Sequence, residues 1–354
     1  MTRTLRLGVR MVAAGLLLVG CGFEEPAIPI LTRETLSRVH IPPVEGRTGI
    51  MDAMVVDPES HLLYVADSTD PNHPGVDIVD ISGPSAAWRR TISTGDAVPN
   101  GLALVPERHR LYVGQDDGTV AIVDIAPGSP AFDTVVGTVT TQHTGNADLV
   151  AYDPRDHRVF AAYPVDGMLA VIDTDTEQVV ARVTDLGSID QPLYDPADGM
   201  VYVGDIDDDQ LLRIDPRSNT TVQRLQLPEA CQPHGLAVNP RTNQGLVGCA
   251  YRDQPLTIAW DFGRGAQIRT FDLAGAGDLM TYDPSTDHFY FAASNYAPAE
   301  MAVFSGTSIQ YLTAVPTSHK SHTVAFDPVH RTVYTPDGLI HEAGLYAFPD
   351  PVRN

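Results

Sequence analysis

Seven polar residues recur at one offset along this chain: Asp52, Asn100, Asp148, Asp190, His234, Asp278 and His322. Each stands five residues ahead of a dipeptide that reads Asp-Pro in most of its copies, and no apolar residue takes the offset. Carboxylates, imidazoles and an amide are the side chains that hold cations. His234, Asp278 and His322, with Asp52 following, carry the two imidazoles and carboxylates that suit zinc, iron or manganese with positions left open for water or substrate. Asp52, Asn100, Asp148 and Asp190 offer only amide and carboxylate chemistry, which suits calcium. A second offset, ten residues after the dipeptide, holds Asp67, Gln115, Tyr163, Asp205, Cys249, Ala293 and Asp337.

Equal spacing has a structural cause. The stretch 51–81, MDAMVVDPESHLLYVADSTDPNHPGVDIVDI, is written six more times, with origins at Asp57, Val105, Asp153, Asp195, Asn239, Asp283 and Asp327. Seven residues after each origin sits Tyr64, Tyr112, Phe160, Tyr202, Leu246, Tyr290 or Tyr334, at spacings of 48, 48, 42, 44, 44 and 44. A period of this size signals a repeat architecture. Seven units of short strands, broken by turn residues at fixed offsets, predict an all-β, seven-bladed β-propeller of four-stranded antiparallel blades. In the first unit, Asp52 to Val56 reads as inner strand A, Leu62 to Ala66 as B, Val76 to Ile81 as C and Trp88 to Thr94 as D. Strands A and B are continuous apolar runs, as expected for sheets covered on both faces.

The seventh unit stops after strand C. Its missing outer strand is expected from Thr35 to Ile41, which matches 221–227 in the fourth unit, so the ring closes by pairing the N-terminal strand with the C-terminal blade. Closure removes the unpaired edge that an open last blade would leave. Both polar offsets then fall at one end of the A–B hairpins. Asp52, Asn100, Asp148, Asp190, Asp67, Gln115 and Asp205 are expected to line one mouth of the channel. Two readings stand here: a cation or ligand site, or a mouth that is polar because water fills it.

The segments at 63–67, 111–115 and 201–205, LYVAD, LYVGQ and VYVGD, each ahead of a β-rich strand ending in Asp, resemble the YVTN-type propeller repeat. The resemblance covers about residues 35 to 350. It implies a secreted or periplasmic bacterial seven-bladed propeller, and it implies binding or scaffolding as readily as enzyme chemistry.

The front of the chain carries Arg3, Arg6 and Arg10, then the apolar run 11–19, the layout of an export signal too short to span a bilayer. Leu18-Val19-Gly20-Cys21 resembles the bacterial lipobox, which implies cleavage before Cys21 and lipid on its thiol. The domains are therefore read as a signal peptide over 1–20, a tether over 21–34 and the propeller over 35–354. Gly22, in place of the Asp that marks inner-membrane retention, implies the outer membrane of a Gram-negative envelope, with the membrane itself a partner through the lipid. Loss of the three signal arginines takes the formal charge from −22 to −25, which excludes nucleic acid as a partner class.

Cys231 and Cys249 remain, an even pair in an oxidising compartment, and are expected to form a disulfide beside His234. The acidic run 205–209 lacks the EF-hand glycine and glutamate, His341-Glu342 lacks the rest of a zinc-helix motif, and the absence of CxxCH gives covalent haem no support. Asp80, Asp124, Asp173, Asp215 and Asp261 recur at the ends of strand C as turn formers. The reading that follows is a lipid-anchored binding or scaffold module for a protein or small-molecule partner. Its alternative is a metal-dependent hydrolase similar to the gluconolactonase and regucalcin propellers, whose ligand chemistry Asn100, Asp148 and Asp190 match. This chain departs from those in having seven units and Asp52 where their first-blade Glu would fall.

Overall fold

Six of the seven A–B turns are built the same way. The carboxylate or amide at the origin accepts a backbone N–H two residues on, as in Asp57 Oδ1 with Glu59 N at 3.0 Å, Asp195 Oδ1 with Ala197 N at 2.8 Å and Asn239 Oδ1 with Arg241 N at 3.0 Å. Four residues past the origin the chain enters the left-handed region at His61, His109, His157, Gly199, Asn243, Asp287 and Arg331. Only there can strand B turn back at the same register in each unit. Unit two has Val105 at its origin and substitutes a short 3-10 turn, Pro106–Arg108.

The computed structural model describes residues 31–42, 50–70, 73–143, 145–228, 230–250, 254–295, 297–337 and 344–352. The expected signal segment, Cys21 and His341-Glu342 lie outside the described residues. Seven four-stranded sheets follow one another from Leu31 onward. Blade 1 comprises Met51–Asp57, Leu62–Asp67, Gly75–Asp80 and Ala87–Ser93, within a residue of each expected strand boundary. In blade 7, Ala325–Asp327, Thr332–Asp337 and Gly344–Pro349 supply strands A, B and C, and Ser37–His40 pairs antiparallel with the last of these, Val39 opposite Leu345. The ring is closed as the sequence predicts. Arg38 in that closing strand also reaches back to the buried Asp337 at 2.7 Å.

The core is not one mass but seven layers, each shared by two neighbouring blades. Ala53, Tyr64 and Ile78 of blade 1 pack with Leu102, Leu111 and Val113 of blade 2, and the layer between blades 7 and 1 holds Val39, Ile41, Met54, Leu63 and Leu345. The other five interfaces repeat this arrangement. Each inner strand touches the next around the circle, including Ala325–Asp327 with Met51–Asp57. Cover on both faces holds for strands B and C, whereas strand A, expected to be buried like B, is partly exposed, as in Met51–Asp57.

A candidate ligand site at the channel mouth

The recurring polar offset sits where the A–B ladder breaks. In blades 1, 2 and 5 the register slips between Met51 and Met54, Pro99 and Leu102, and Pro233 and Leu236, so Asp52, Asn100 and His234 lie in bulges. In the other four blades strand A begins only after the ring residue: Val150–Asp153, Leu193–Asp195, Met280–Asp283 and Ala325–Asp327. Released from the ladder, these side chains are free to turn towards the axis. Glycine assists at two of the tight approaches. A Cβ at Gly101 would stand 2.2 Å from the Asp148 carbonyl oxygen, and one at Gly235 would stand 2.1 Å from that of Asp278. Only glycine lets neighbouring inner strands draw this close.

Six of the seven residues, all but Asn100, act on one another electrostatically. Burial, then the charge of Asp148 and that of Asp278, push Asp52 up to about 7 against the opposing pull of His322. Burial, followed by Asp190 and Asp278, does the same for Asp148, also to about 7. Asp190 is raised well above the ordinary carboxylate range by burial and by Asp278 and Asp52. Carboxyls from blades 1, 3, 4 and 6 therefore feel one another across the ring, with no arginine or lysine among them.

His322 is the fixed cation of the group. Its Nδ1–H donates to Asp278 Oδ2 at 2.9 Å and its Nε2–H donates to the Met51 carbonyl at 2.9 Å. Two acceptors require two protons, so the ring is an imidazolium. Burial disfavours that charge, but the hydrogen bond to Asp278, the charges of Asp278 and Asp52 and the Met51 carbonyl together outweigh it and take His322 up to about 9.

That geometry corrects the expected metal set of His234, Asp278 and His322. A histidine ligates through an unprotonated nitrogen, and both nitrogens of His322 already face acceptors. His234 is turned elsewhere: Nδ1 donates to the Gln232 carbonyl at 2.8 Å and Nε2 lies 3.4 Å from Asp190 Oδ2. Among the described residues, no three His, Cys, Asp or Glu side chains converge closely enough to hold a metal ion.

A second correction concerns Asp67, Gln115 and Asp205. They do not line the mouth; all three are buried at strand B ends, at 5%, 2% and 1% exposure. Gln115 Nε2 donates to the Thr94 carbonyl and its Oε1 accepts from Thr119, while Asp205 packs under Gly187 and 3.7 Å from Arg224. Asp67 accepts from Thr69 N and shares a hydrogen bond with Asp77. Gln115, Asp205 and Tyr163, whose hydroxyl lies 2.7 Å from Thr141 Oγ1, bond or pack against the connection leaving the preceding blade. They brace the ring rather than face a ligand.

Sequence reasoning missed the residues that hold the mouth in place. Asn146 Oδ1 accepts from Asn100 Nδ2 at 2.6 Å, and Gln191 Oε1 accepts from Leu236 N at 2.9 Å. The acidic run contributes one of its members: Asp209 Oδ1 accepts from Gln232 N at 2.6 Å and so fixes the carbonyl that orients His234. Gln232 itself sits in the left-handed region, next to the Cys231–Cys249 disulfide, whose Cα atoms are 4.5 Å apart. The disulfide closes a loop of 18 residues, worth about 3 kcal/mol in the chain-entropy view. Changing both cysteines to serine is expected to lower the urea-unfolding free energy by about that amount; a loss under 1 kcal/mol would show that the loop is ordered without it.

No family model matches the chain, and no curated protein does. Among solved structures, the chain is similar to one in the crystal structure of the mitotic checkpoint complex, with a TM-score of 0.70 at 14% identity over 99% of both chains. It is likewise similar to a chain of Kuenenia stuttgartiensis hydrazine synthase, with a TM-score of 0.71 at 13% identity over 89% of this chain and 100% of that one. At such identities the likeness speaks for the fold alone, and it agrees with the seven-sheet ring described here.

Proposed function

We propose that this chain is an exported, lipid-anchored binding module that presents one mouth of its propeller to a ligand at the bacterial envelope. The observation that carries the binding half is the pair Asp52 and Asp148. Among the described residues neither carboxyl takes a hydrogen bond from the protein, and both are pushed up by burial and by neighbouring carboxylates. Crowded, partly buried carboxyls are costly to ionise, and strongly perturbed groups of this kind cluster at functional sites. The export half rests on the arginines and apolar run of residues 1–19 and on the lipobox-like Leu18-Val19-Gly20-Cys21. The YVTN-like segments agree with an extracytoplasmic propeller.

The hydrolase reading has less to stand on. It needs a polarising cation, and the histidine best placed for one has no free nitrogen. Anchoring is tested in bacteria expressing the full chain. Labelled palmitate is expected to enter the wild-type protein and the membrane fraction, and Cys21→Ser is expected to lose both. A Cys21→Ser protein that still takes label and sediments with membranes would sink the anchor.

A further inference from the structure

Blade 7 is the one sheet assembled from both ends of the chain, so it stays in the ring only while non-covalent contacts hold each end. The closing strand holds the N-terminal end. The C-terminal end has a fastening of its own. Beyond Gly344–Pro349 the chain turns at Asp350, whose N–H donates to the Arg331 carbonyl at 2.8 Å and whose Oδ1 accepts from Val352 N at 3.1 Å. Arg331 Nη2 donates to the other oxygen, Oδ2, at 2.8 Å, and His288 Nδ1 stands 3.2 Å from it. Arg331 belongs to blade 7, but His288 opens strand B of blade 6, His288–Ala293. The His288 and Asp350 side chains are only 4% and 2% exposed, so the contact is a dry one. Val352 then packs against the layer that Tyr290, Met301, Phe326 and Phe348 share between the two blades.

The other blades show what is particular to this one. In blades 1 to 5, strand C ends in Asp80, Asp124, Asp173, Asp215 or Asp261, and each accepts a backbone N–H from the C–D turn that follows. Asp350 keeps that kind of turn, with no outer strand after it, and reaches the neighbouring blade instead. At the register of His288 the other units carry Leu62, Arg110, Arg158, Met200, Gln244 and Thr332. The one imidazole at this register stands where the tail arrives. Burial pushes the Asp350 carboxyl up, but the facing His288, the Val352 N–H and the charge of Arg331 outweigh it and hold the carboxyl below the ordinary range. Removing one partner from a buried pair of this kind strands the charge that remains.

We propose that residues 350–352 are a latch that fastens blade 7 to blade 6 at the A–B turn end, separately from the closing strand, and that its release makes the seam between these two blades the place where the ring first opens. Proteins open locally through their least secured cooperative unit, and the latch decides which seam that is. The inference is independent of what the mouth binds and of lipid anchoring. Hydrogen exchange of the full chain at pH 7, read by mass spectrometry, tests it. Asp350→Asn keeps shape and removes charge, and His288→Gln removes the blade 6 half of the contact alone. Each is expected to speed exchange about tenfold in His288–Ala293 and Gly344–Pro349, while blades 2, 3 and 4 stay within about twofold of the wild type. Val352→Ala, which trims only apolar contact, is expected to act on the same segments more weakly, and it serves should a charge change prevent folding. Asp80→Asn, the corresponding turn carboxylate in blade 1, is expected to leave both segments unchanged. The proposal is overturned if neither Asp350→Asn nor His288→Gln alters exchange, if the rise spreads evenly over all seven blades, or if it falls on Ser37–His40 and blade 1 instead.

Discussion

Asp52→Asn is expected to make the protein more stable at pH 8.5 and to give a much smaller gain at pH 5. The Asp52 carboxyl is pushed up to about 7 in the folded chain, chiefly by burial and then by Asp148 and Asp278, from an ordinary 3.8. A raised carboxyl contributes its stability below pH 4 and loses it as the pH climbs through 7, because the unfolded chain then ionises the group more easily than the folded one. The rise from 3.8 to about 7 corresponds to roughly 4 kcal/mol, discounted to about 2 kcal/mol because the side chain is partly exposed to solvent. Asn copies the shape of the protonated acid and never ionises. The wild type should therefore lose stability between pH 5 and 8.5, and the variant should lose less. Asp148, Asp190 and Asp77 move in the same sense, and His322, raised to about 9, gives up its own contribution as the pH passes that value. The turn carboxylates work oppositely: Asp80, held at about 2 by its bonds to Ser82 and Arg89, stabilises above pH 4 and fails only in acid. Urea unfolding of both proteins at pH 5 and 8.5 measures the difference. A variant that is weaker than wild type at pH 8.5 would mean that the Asp52 carboxylate holds the ring together, and the site would then be structural.

A residue that strengthens a fold when its charge is removed is doing something other than folding. This part of the site was legible in the sequence, because a repeat keeps each blade position in phase, and a polar residue at the same phase in all seven units has to meet its counterparts at the axis. Which of them touch was not legible. The partner of His322 Nε2 is the backbone carbonyl of Met51, an acceptor every residue has and no side chain announces. The second offset misled for a related reason. Spacing places Gln115 and Asp205 at the end of strand B, but it does not say that the connection from the preceding blade folds over that end and buries them. The left-handed residue before strand B is visible only in retrospect, as Gly199, Asn243 and Asp287 among bulkier His61, His109, His157 and Arg331. The outline of the blades was read because turn chemistry and apolar runs are local; the bracing of the mouth was not, because its partners come from different blades.

Ring closure carries the second large effect. Ile41 follows the closing strand Ser37–His40, is 0% exposed and packs in the layer between blades 7 and 1 with Val39, Met54, Leu63 and Leu345. Ile41→Asp is expected to cost at least 4 kcal/mol, the sum of the lost apolar burial and an unpaired charge placed in a dry layer. Ile41→Val, which only trims a methyl group, is expected to cost about 1 kcal/mol. The two variants differ in a second respect. If Ser37–His40 is the strand that completes the circle, losing it bares Gly344–Pro349 as a sheet edge, and edges recruit other chains. Ile41→Asp should then form larger species in light scattering at temperatures where the wild type and Ile41→Val stay dispersed. The mouth reports on the same event, since the His322 bond to Met51 joins blade 7 to blade 1 across the closing layer. Opening that layer separates the imidazolium from its carbonyl, so the NMR titration midpoint of His322 should fall from about 9. An Ile41→Asp chain with wild-type melting and an unmoved His322 midpoint would place the closure of the ring elsewhere than in this strand.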